Sequence, residues 1–198
     1  MRLNKLRRRR VEQAVHEEIE IIAYDSSWPE SFRREAKRLK RYLPTGTVRH
    51  IEHFGSTAVP GLAAKPIIDM LVEVSKLRVA REQIAPILKK QGYDYVWRPS
   101  LGDDVPPWYA FFIKRNANGV RTHHIHMMTR HRNFARHWER LAFRDYLIAH
   151  PKVSRQYAGL KIELAKQYPT DRIAYTKAKR DFIERITAVA IKSRRGMT

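Results

Sequence analysis

The sequence predicts an α+β fold, in which a mixed β-sheet of four or five strands with flanking helices is followed by a C-terminal helical subdomain. The run Pro66–Val74 is apolar except for two carboxylates, as in a central strand buried on both faces. Asn118-Gly119 separates two β-rich segments, which is typical of a hairpin. From Asn133 onward, apolar residues recur at helical spacing.

Local signals set the boundaries of these elements. Asp25 to Pro29 supplies a cap and a first-turn proline, so the first helix is expected from about Pro29 to Leu43. In chain order there follow strand Val48–Phe54, loop Gly55–Gly61, strand Pro66–Val74, helix Arg78–Gln91, strand Tyr93–Trp97, loop Pro99–Pro107, and strands Trp108–Lys114 and Val120–Thr129. Three further helices are expected: one up to His150-Pro151, one containing Val153 to Leu164, and a single last helix from Thr170-Asp171 through Val189.

The domain division follows from these elements. Residues 1–18 form a basic N-terminal arm, 19–130 the α/β core and 131–198 the helical subdomain packed on it. The chain has 198 residues, of which 43% are hydrophobic, enough to bury a core. No run approaches the roughly 18 to 20 apolar residues that a membrane crossing needs, and no apolar segment follows the basic N-terminus. We therefore expect no membrane partner and a cytoplasmic location.

Composition narrows the chemistry. The absence of cysteine excludes a disulfide framework, a thiol nucleophile and a thiolate metal site. The net charge of +20 indicates an anionic partner, with an acidic cellular interior as the simpler explanation. Residues 121–198 hold 18 basic and 6 acidic residues, whereas residues 51–120 hold 9 and 7. The excess charge therefore surrounds a nearly balanced centre.

The loop after the predicted strand Val48–Phe54 carries the chemical signal. Gly55 and Ser56 offer backbone N–H groups and a hydroxyl to a phosphate, and Lys65 adds a positive charge. Asp69 then stands on the next strand, where an unpaired buried carboxylate would be costly. A divalent ion that holds phosphates would compensate it.

Longer strings extend this signal. They are Tyr24-Asp25 with Trp28-Pro29, the seventeen residues His53–Asp69 preceded by Glu52, His124-Ile125-His126, and Phe143–Leu147, and together they resemble the GrpB family within the polymerase-β-like nucleotidyltransferase superfamily. The resemblance covers roughly residues 20 to 190. It implies a nucleotidyltransferase-like sheet, a nucleoside triphosphate and Mg²⁺ or another divalent metal, with an unknown acceptor.

The resemblance also implies roles for individual residues. Ser56 would hold the β- and γ-phosphates, and in-line attack would occur at the α-phosphate. The candidate catalytic residues are Asp69, His53, His124 and His126. The candidate phosphate-binding residues are Gly55, Ser56, Thr57, Lys65, Arg136, Arg140 and Arg144. The candidate metal ligands are Asp69, Glu73 and His126.

One departure from the superfamily pattern affects the metal site. Active members place a second acid two residues after the first, where strand alternation returns it to the same face, but this chain has Leu71 there. Glu73 is either a more distant ligand or a polar strand end. His124 and His126 share one strand face and bind metal or phosphate, or are half-exposed polar positions. A His/Asp cluster that binds a transition metal for hydrolysis is a competing interpretation.

The helix after Asn133 carries an arginine ridge at spacing four: Arg132, Arg136, Arg140 and Arg144. It is either a solvated face or a binding surface for a polyphosphate tail, a coenzyme or an RNA backbone. Two functions therefore stay open, a nucleotidyltransferase and a catalytically degenerate nucleotide-, coenzyme- or RNA-binding module. Pyrophosphate release would favour the enzyme, and salt-dependent RNA binding without turnover would favour the module.

Overall fold

A computed structural model describes residues 18–100 and 106–195, and it confirms the α+β class with a five-stranded mixed sheet. The strand order is β1-β2-β5-β4-β3, in which β2 and β5 are parallel and the other neighbours are antiparallel. The strands are β1 (Val48–Phe54), β2 (Ile68–Val74), β3 (Asp94–Pro99), β4 (Trp108–Arg115) and β5 (Arg121–Met128). The predicted arm, apart from Glu18, and residues 101–105 of the predicted loop lie outside the described residues.

The helices flank this sheet. Two helical units pack on the larger core of the sheet: α1 (Trp28–Tyr42), and the segment made of α2 (Leu77–Val79), a π-helical turn (Ala80–Ile84) and α3 (Ala85–Lys90). The C-terminal part contains α4 (Ala135–Trp138), α5 (Arg140–Ala149), α6 (Pro151–Gln167), α7 (Arg172–Ala178) and α8 (Arg180–Arg195). Short 3₁₀ helices span Ser56–Ala58 and Arg132–Phe134. In the described ranges, none of the helices combines the length and hydrophobicity that a membrane crossing requires.

The first helix begins and ends as its residues dictate. A proline lies in its first turn, where a missing N–H costs nothing, and Glu30 complements the positive end of the helix dipole. Lys40 and Arg41 lie in the last turn, where cations are favourable. Leu39 is fully buried against the sheet, so α1 covers one face of β1 and β2.

The two faces of the sheet bury different residues because side chains alternate along a strand. Met70 and Val72 pack under α1 and α3 in the larger core. Leu71 lies on the opposite face with Phe54 and Tyr109, in a second core that also contains Phe134. Asp69 and Glu73 occupy this opposite face, and the candidate site lies there.

A third apolar cluster joins the loop after β1 to the C-terminal helices. Val59 and Leu62 from the loop pack against Phe143 of α5, Tyr157 of α6 and Ile186 of α8. This packing holds α6 and α8 beside the loop that carries Ser56. Residues from the helical part of the chain therefore reach the candidate site.

The C-terminal helices differ from the sequence prediction at two points. The single last helix is wrong: the chain forms α7 and α8, which are interrupted at Lys179. The continuous arginine ridge is also wrong, because a 3₁₀ turn and an interruption at Glu139 divide its helix. The hairpin prediction is confirmed, since Asn116 and Gly119 close the turn between β4 and β5 through backbone hydrogen bonds of 2.9 and 3.0 Å.

Candidate functional site

The centre of the candidate site is the contact between the loop after β1 and the start of β2. Phe54 pairs with Asp69 across the two strands, so Gly55 leaves β1 directly beside that carboxylate. Gly55 has a φ of 74°, and a Cβ atom there would lie 2.5 Å from Oδ2 of Asp69. Only glycine fits both the left-handed backbone and the available space.

Asp69 is paired with a histidine from the parallel neighbouring strand. The register places Asp69 opposite His124, and Nδ1 of His124 lies 3.2 Å from Oδ1 of Asp69. Burial lowers the pKa of His124, whereas the hydrogen bond and charge of Asp69 oppose this shift. His124 is therefore neutral at pH 7 and donates its Nδ1–H to the carboxylate. Its Nε2 is buried without a hydrogen-bond partner among the described residues.

His126 is on the same face but in different surroundings. Its Nδ1 lies 3.1 Å from the hydroxyl of Tyr109, and the two rings stack with centroids 5.6 Å apart. Phe54 and Phe111 enclose the imidazole further. Burial lowers the pKa of His126 well below its usual value, so this residue is a neutral member of an aromatic cluster.

The third predicted histidine, His53, is not brought to this face. It precedes Phe54 on β1, so it points to the α1 side, where its ring stacks on Phe32 with centroids 4.8 Å apart. Its Nε2 lies 3.0 Å from the hydroxyl of Thr57, which in turn donates to the carbonyl of Ile67. Burial lowers its pKa to about 4. His53 and Thr57 therefore stabilise the loop from the α1 side of the sheet, and this placement argues against direct contact with a ligand.

Ser56 opens the 3₁₀ turn and faces the C-terminal helices. Burial raises the pKa of Tyr157 on α6, and the hydroxyl of Ser56 opposes this shift. The charge of Asp69 also acts on Tyr157. The hydroxyls of Ser56 and Tyr157 therefore interact where the loop meets α6.

Lysine side chains from two parts of the chain converge on Tyr175 of α7. The ammonium of Lys179 lies 3.9 Å from the ring centroid of Tyr175, and that of Lys65 lies 5.0 Å from it. Lys179 lies four residues after Tyr175, so one turn of helix brings its ammonium to the ring. Lys65 reaches the same ring although 114 positions separate it from Lys179 in the chain.

A third lysine lies beneath the loop. Lys161 of α6 is 2% exposed and donates to the carbonyl of Ala63, while its ammonium lies 4.9 Å from the ring centroid of Tyr157. Burial lowers its pKa to about 7. The protonation state of this lysine therefore responds to any charge that arrives nearby.

The electrostatics of Lys179 show what surrounds it. Burial is the main cause that lowers its pKa to about 7, and neighbouring cations lower it further. The neighbouring cations are Lys65, Lys161 and Arg172, and the opposing carboxylate is Asp69. We call Lys65, Lys161, Lys179 and Arg172 the cation cluster.

Two arginines extend the positive field along the same face. Arg140 is an exposed residue whose guanidinium lies 5.9 Å from the ring centroid of Phe54 and acts on Tyr109 and Asp69. Arg98 of β3 lies over the Phe111 ring at 5.1 Å. Burial, opposed by Tyr109 and Asp69 and reinforced by Arg98, lowers the pKa of Arg140.

The remaining predicted arginines do not join them. Arg136 is exposed, outside the site. Arg144 donates to Oδ1 of Asp145 at 2.7 Å, to Oε2 of Glu52 at 2.8 Å and to the carbonyl of His53 at 2.6 Å. These contacts give Arg144 a structural task, and they correct its interpretation as part of a phosphate-binding ridge.

The predicted divalent metal is poorly matched by these donors. Glu73 stands about 13 Å along the strand from Asp69, and it is paired with Arg130 at 3.1 Å and Arg49 at 3.9 Å. Leu71 is fully buried in the apolar core. In the described ranges, no three His, Asp or Glu side chains form a group that could hold a metal ion. Mg²⁺ prefers several oxygen ligands, and Asp69 supplies the one nearby carboxylate of the residues considered for it.

Sequence reasoning missed Tyr157, Lys161, Arg172 and Lys179 as site residues. A signal existed for Lys161, because Ser154, Tyr157, Lys161 and Leu164 form the buried face of α6 at spacings of three and four. A lysine on such a face needs a polar partner or an anion. Lys179 follows Tyr175 at the helical spacing of four, but no local signal shows that Lys65 approaches the same ring.

A groove of about 440 Å³ lies elsewhere, between the region of α4 and α5 and the end of α8. Arg130, Arg132, Trp138 and Arg194 are among its lining residues. The guanidinium of Arg130 lies 4.4 Å from the ring centroid of Trp138. This basic groove is a second surface that an anion can contact.

Comparisons with known proteins agree with the resemblance seen in the sequence. A UPF0157 protein of Pseudomonas aeruginosa is 39% identical over 184 residues, which cover 92% of this chain and 72% of that protein. YqkA of Bacillus subtilis, also a UPF0157 protein, is 38% identical over 167 residues, and the match spans 84% of this chain but 45% of that protein. The chain thus spans about half the length of the latter relative.

A solved structure agrees with this resemblance. Conserved protein GrpB from Enterococcus faecalis superposes with a TM-score of 0.73 and 32% identity, over 88% of this chain and 98% of that chain. The Cid1 poly(U) polymerase matches at a TM-score of 0.47 and 14% identity, over 75% of this chain and 42% of that chain. The family model described as GrpB protein matches residues 18–189. This chain therefore belongs to the GrpB family.

Proposed function

We propose that the chain is a nucleotide-binding module that holds the phosphate groups of a nucleoside triphosphate between the Ser56 loop and the cation cluster. The observation that carries this proposal is the approach of two ammonium groups to the ring of Tyr175, Lys179 at 3.9 Å and Lys65 at 5.0 Å from its centroid. Lys161 and Arg172 add positive charge that acts on Lys179, and Asp69 is the carboxylate that opposes it. Like charges at short range repel one another, so such a cluster is stabilised by a multiply charged anion.

The surroundings of the cluster favour a phosphate anion in particular. Gly55 allows close approach of the backbone, and the hydroxyls of Ser56 and Tyr157 supply hydrogen bonds to oxygen atoms. The aromatic cluster around Tyr109 and Phe111 lies on the same face with Arg98 and Arg140 at its edge. The Tyr109 and Phe111 rings are themselves buried, so this side offers the positive charge of the two arginines.

Isothermal titration of ATP, UTP and inorganic tripolyphosphate into the full chain tests this proposal. We expect all three anions to bind saturably to the wild type. Their binding to Lys179→Met should be at least about tenfold weaker, because the variant lacks a positive charge that attracts the phosphates. Lys177→Met is the matched control, since Lys177 is exposed and lies on α7 two residues before Lys179. Equal affinities in the two variants contradict the proposal. A short single-stranded RNA that binds equally to both variants would assign RNA binding to another surface.

Nucleotidyl transfer is a second candidate, which the Asp69–His124 hydrogen bond favours. This pair offers a proton acceptor at the start of β2, beside the loop. In this reaction an acceptor hydroxyl oxygen bonds to the α-phosphorus, pyrophosphate leaves, and the hydroxyl proton passes to Asp69. Release of pyrophosphate from ATP or UTP by the wild type, abolished in Asp69→Asn, would support it.

A further inference from the structure

The charge of the nucleoside triphosphate proposed to bind at the cation cluster depends on whether a divalent metal ion is bound to it. Free ATP carries two more negative charges than its Mg²⁺ complex. We infer that the site takes its polyphosphate as the metal-free anion, with lysine and arginine side chains in place of a divalent ion. This inference rests on the proposed function and specifies which ionic form of the nucleotide is bound.

The acidic side chains argue against a shared metal ion. Oδ1 of Asp69 accepts from His124, and its Oδ2 faces the backbone of Gly55. The position where a second acid would share the ion is Leu71, which is buried among apolar side chains. Glu73 is paired with Arg130 at the other end of the strand. One carboxylate is a weak anchor for an ion that demands near-octahedral oxygen coordination.

The positive charges at the site also argue against a divalent metal ion. Lys65, Lys161 and Arg172 all act on the ammonium of Lys179, and Asp69 is the carboxylate that opposes them there. Lys65 and Lys179 also approach the same ring, that of Tyr175. A divalent cation placed among them is repelled, whereas a free triphosphate gains from each of them. Mg²⁺ in solution competes with the protein for the same phosphate oxygens, so it weakens the complex.

The burial of two of these lysines supports the argument. Lys161 and Lys179 have pKa values near 7 because burial penalises their charged forms. A polyanion stabilises these charged forms directly. A metal complex of the same nucleotide supplies less negative charge for that purpose.

The test is a titration of ATP into the full chain at pH 7 and constant ionic strength. One series uses buffer passed through a chelating resin, and the other contains excess MgCl₂. We expect ATP to bind about threefold or more tightly without Mg²⁺, because two negative charges are then unscreened. Binding that requires Mg²⁺, or is tighter with it, overturns this inference but leaves the proposed function standing. Absence of binding in both series overturns both.

A variant of Asp69 provides a second test of this inference. Asp69→Asn removes the carboxylate from the cation cluster, so metal-free ATP should bind equally or more tightly, whereas a metal-dependent site would lose affinity. Glu73→Gln, on the same strand and face, is the control and should leave the affinity unchanged. Circular dichroism verifies that both variants fold. If Asp69→Asn does not fold, the wild-type titrations still decide the question.

Discussion

Arg144 on α5 donates a hydrogen bond of 2.8 Å from Nη1 to Oε2 of Glu52 on β1, and the same nitrogen donates to the carbonyl of His53. Both side chains are largely buried, with 17% and 26% of their surfaces exposed. This pair connects the C-terminal helices to the strand that leads into the Ser56 loop.

Arg144→Met should lower the free energy of unfolding by about 1 to 3 kcal/mol, because it leaves partly buried acceptors without a donor. Arg194→Met is the matched control: Arg194 pairs with Asp145 at 2.5 Å, but its side chain is 56% exposed, and its loss should cost less than about 1 kcal/mol. Urea denaturation of both variants provides the measurement. Equal losses would mean that Arg144 does not connect the two parts of the fold.

Gly55 and Gly61 allow a clean test of the loop geometry. Both have a positive φ, but a Cβ atom at Gly61 meets no atom within 4 Å, whereas one at Gly55 meets Asp69. Gly61→Ala should cost about 1 to 2 kcal/mol for the left-handed backbone alone. Gly55→Ala should cost more and weaken ATP binding, because the loop or Asp69 must move. Equal urea midpoints and equal ATP affinities in the two variants would contradict the close contact between Gly55 and Asp69.

Anion binding should depend on pH. The pKa values of Lys161 and Lys179, lowered to about 7 by burial, rise when a polyanion arrives. Protons are therefore taken up on binding near pH 8, and the affinity for ATP falls between pH 7 and 9. Calorimetric titrations at pH 8 in two buffers of different ionisation enthalpy measure this uptake. Identical apparent enthalpies in the two buffers would show that no lysine changes protonation.

Acid should destabilise the fold through its buried histidines. Burial lowers the pKa of His53 to about 4 and that of His137 to about 3, whereas both are near 6.5 in the unfolded chain. The unfolded state therefore binds more protons below pH 6.5, so stability falls as pH decreases from 6.5 to 4, by at most about 1.4 kcal/mol per pH unit for each group. His53→Gln should reduce this slope, and His150→Gln, an exposed control, should not. Unchanged slopes in both variants would contradict the assignment.

The sequence predicted the parts of this structure that local patterns control. The apolar run with Asp69 became β2, and the Asn-Gly turn became the β4–β5 hairpin. The family resemblance implied that His53 is a site residue, two positions before Gly55 in the chain. Its face is set by strand register and alternation, which place it against Phe32 instead.

The cation cluster lay beyond such patterns. Lys179 lies one helical turn after Tyr175, but no local pattern shows that Lys65 approaches the same ring. Tyr157 packs in the core with Phe143, and its hydroxyl interacts with Ser56 of a distant segment. Side-chain functions that depend on packing between distant segments require the tertiary structure.

The most direct test of a polyphosphate site at the cation cluster is a crystal structure of the full chain with ATP, grown in metal-free buffer. We predict phosphate oxygens within hydrogen-bonding distance, about 2.7 to 3.2 Å, of the Lys179 ammonium and the Ser56 hydroxyl. Phosphates bound instead in the groove lined by Arg130 and Arg194, with no density beside Lys179, would contradict this account.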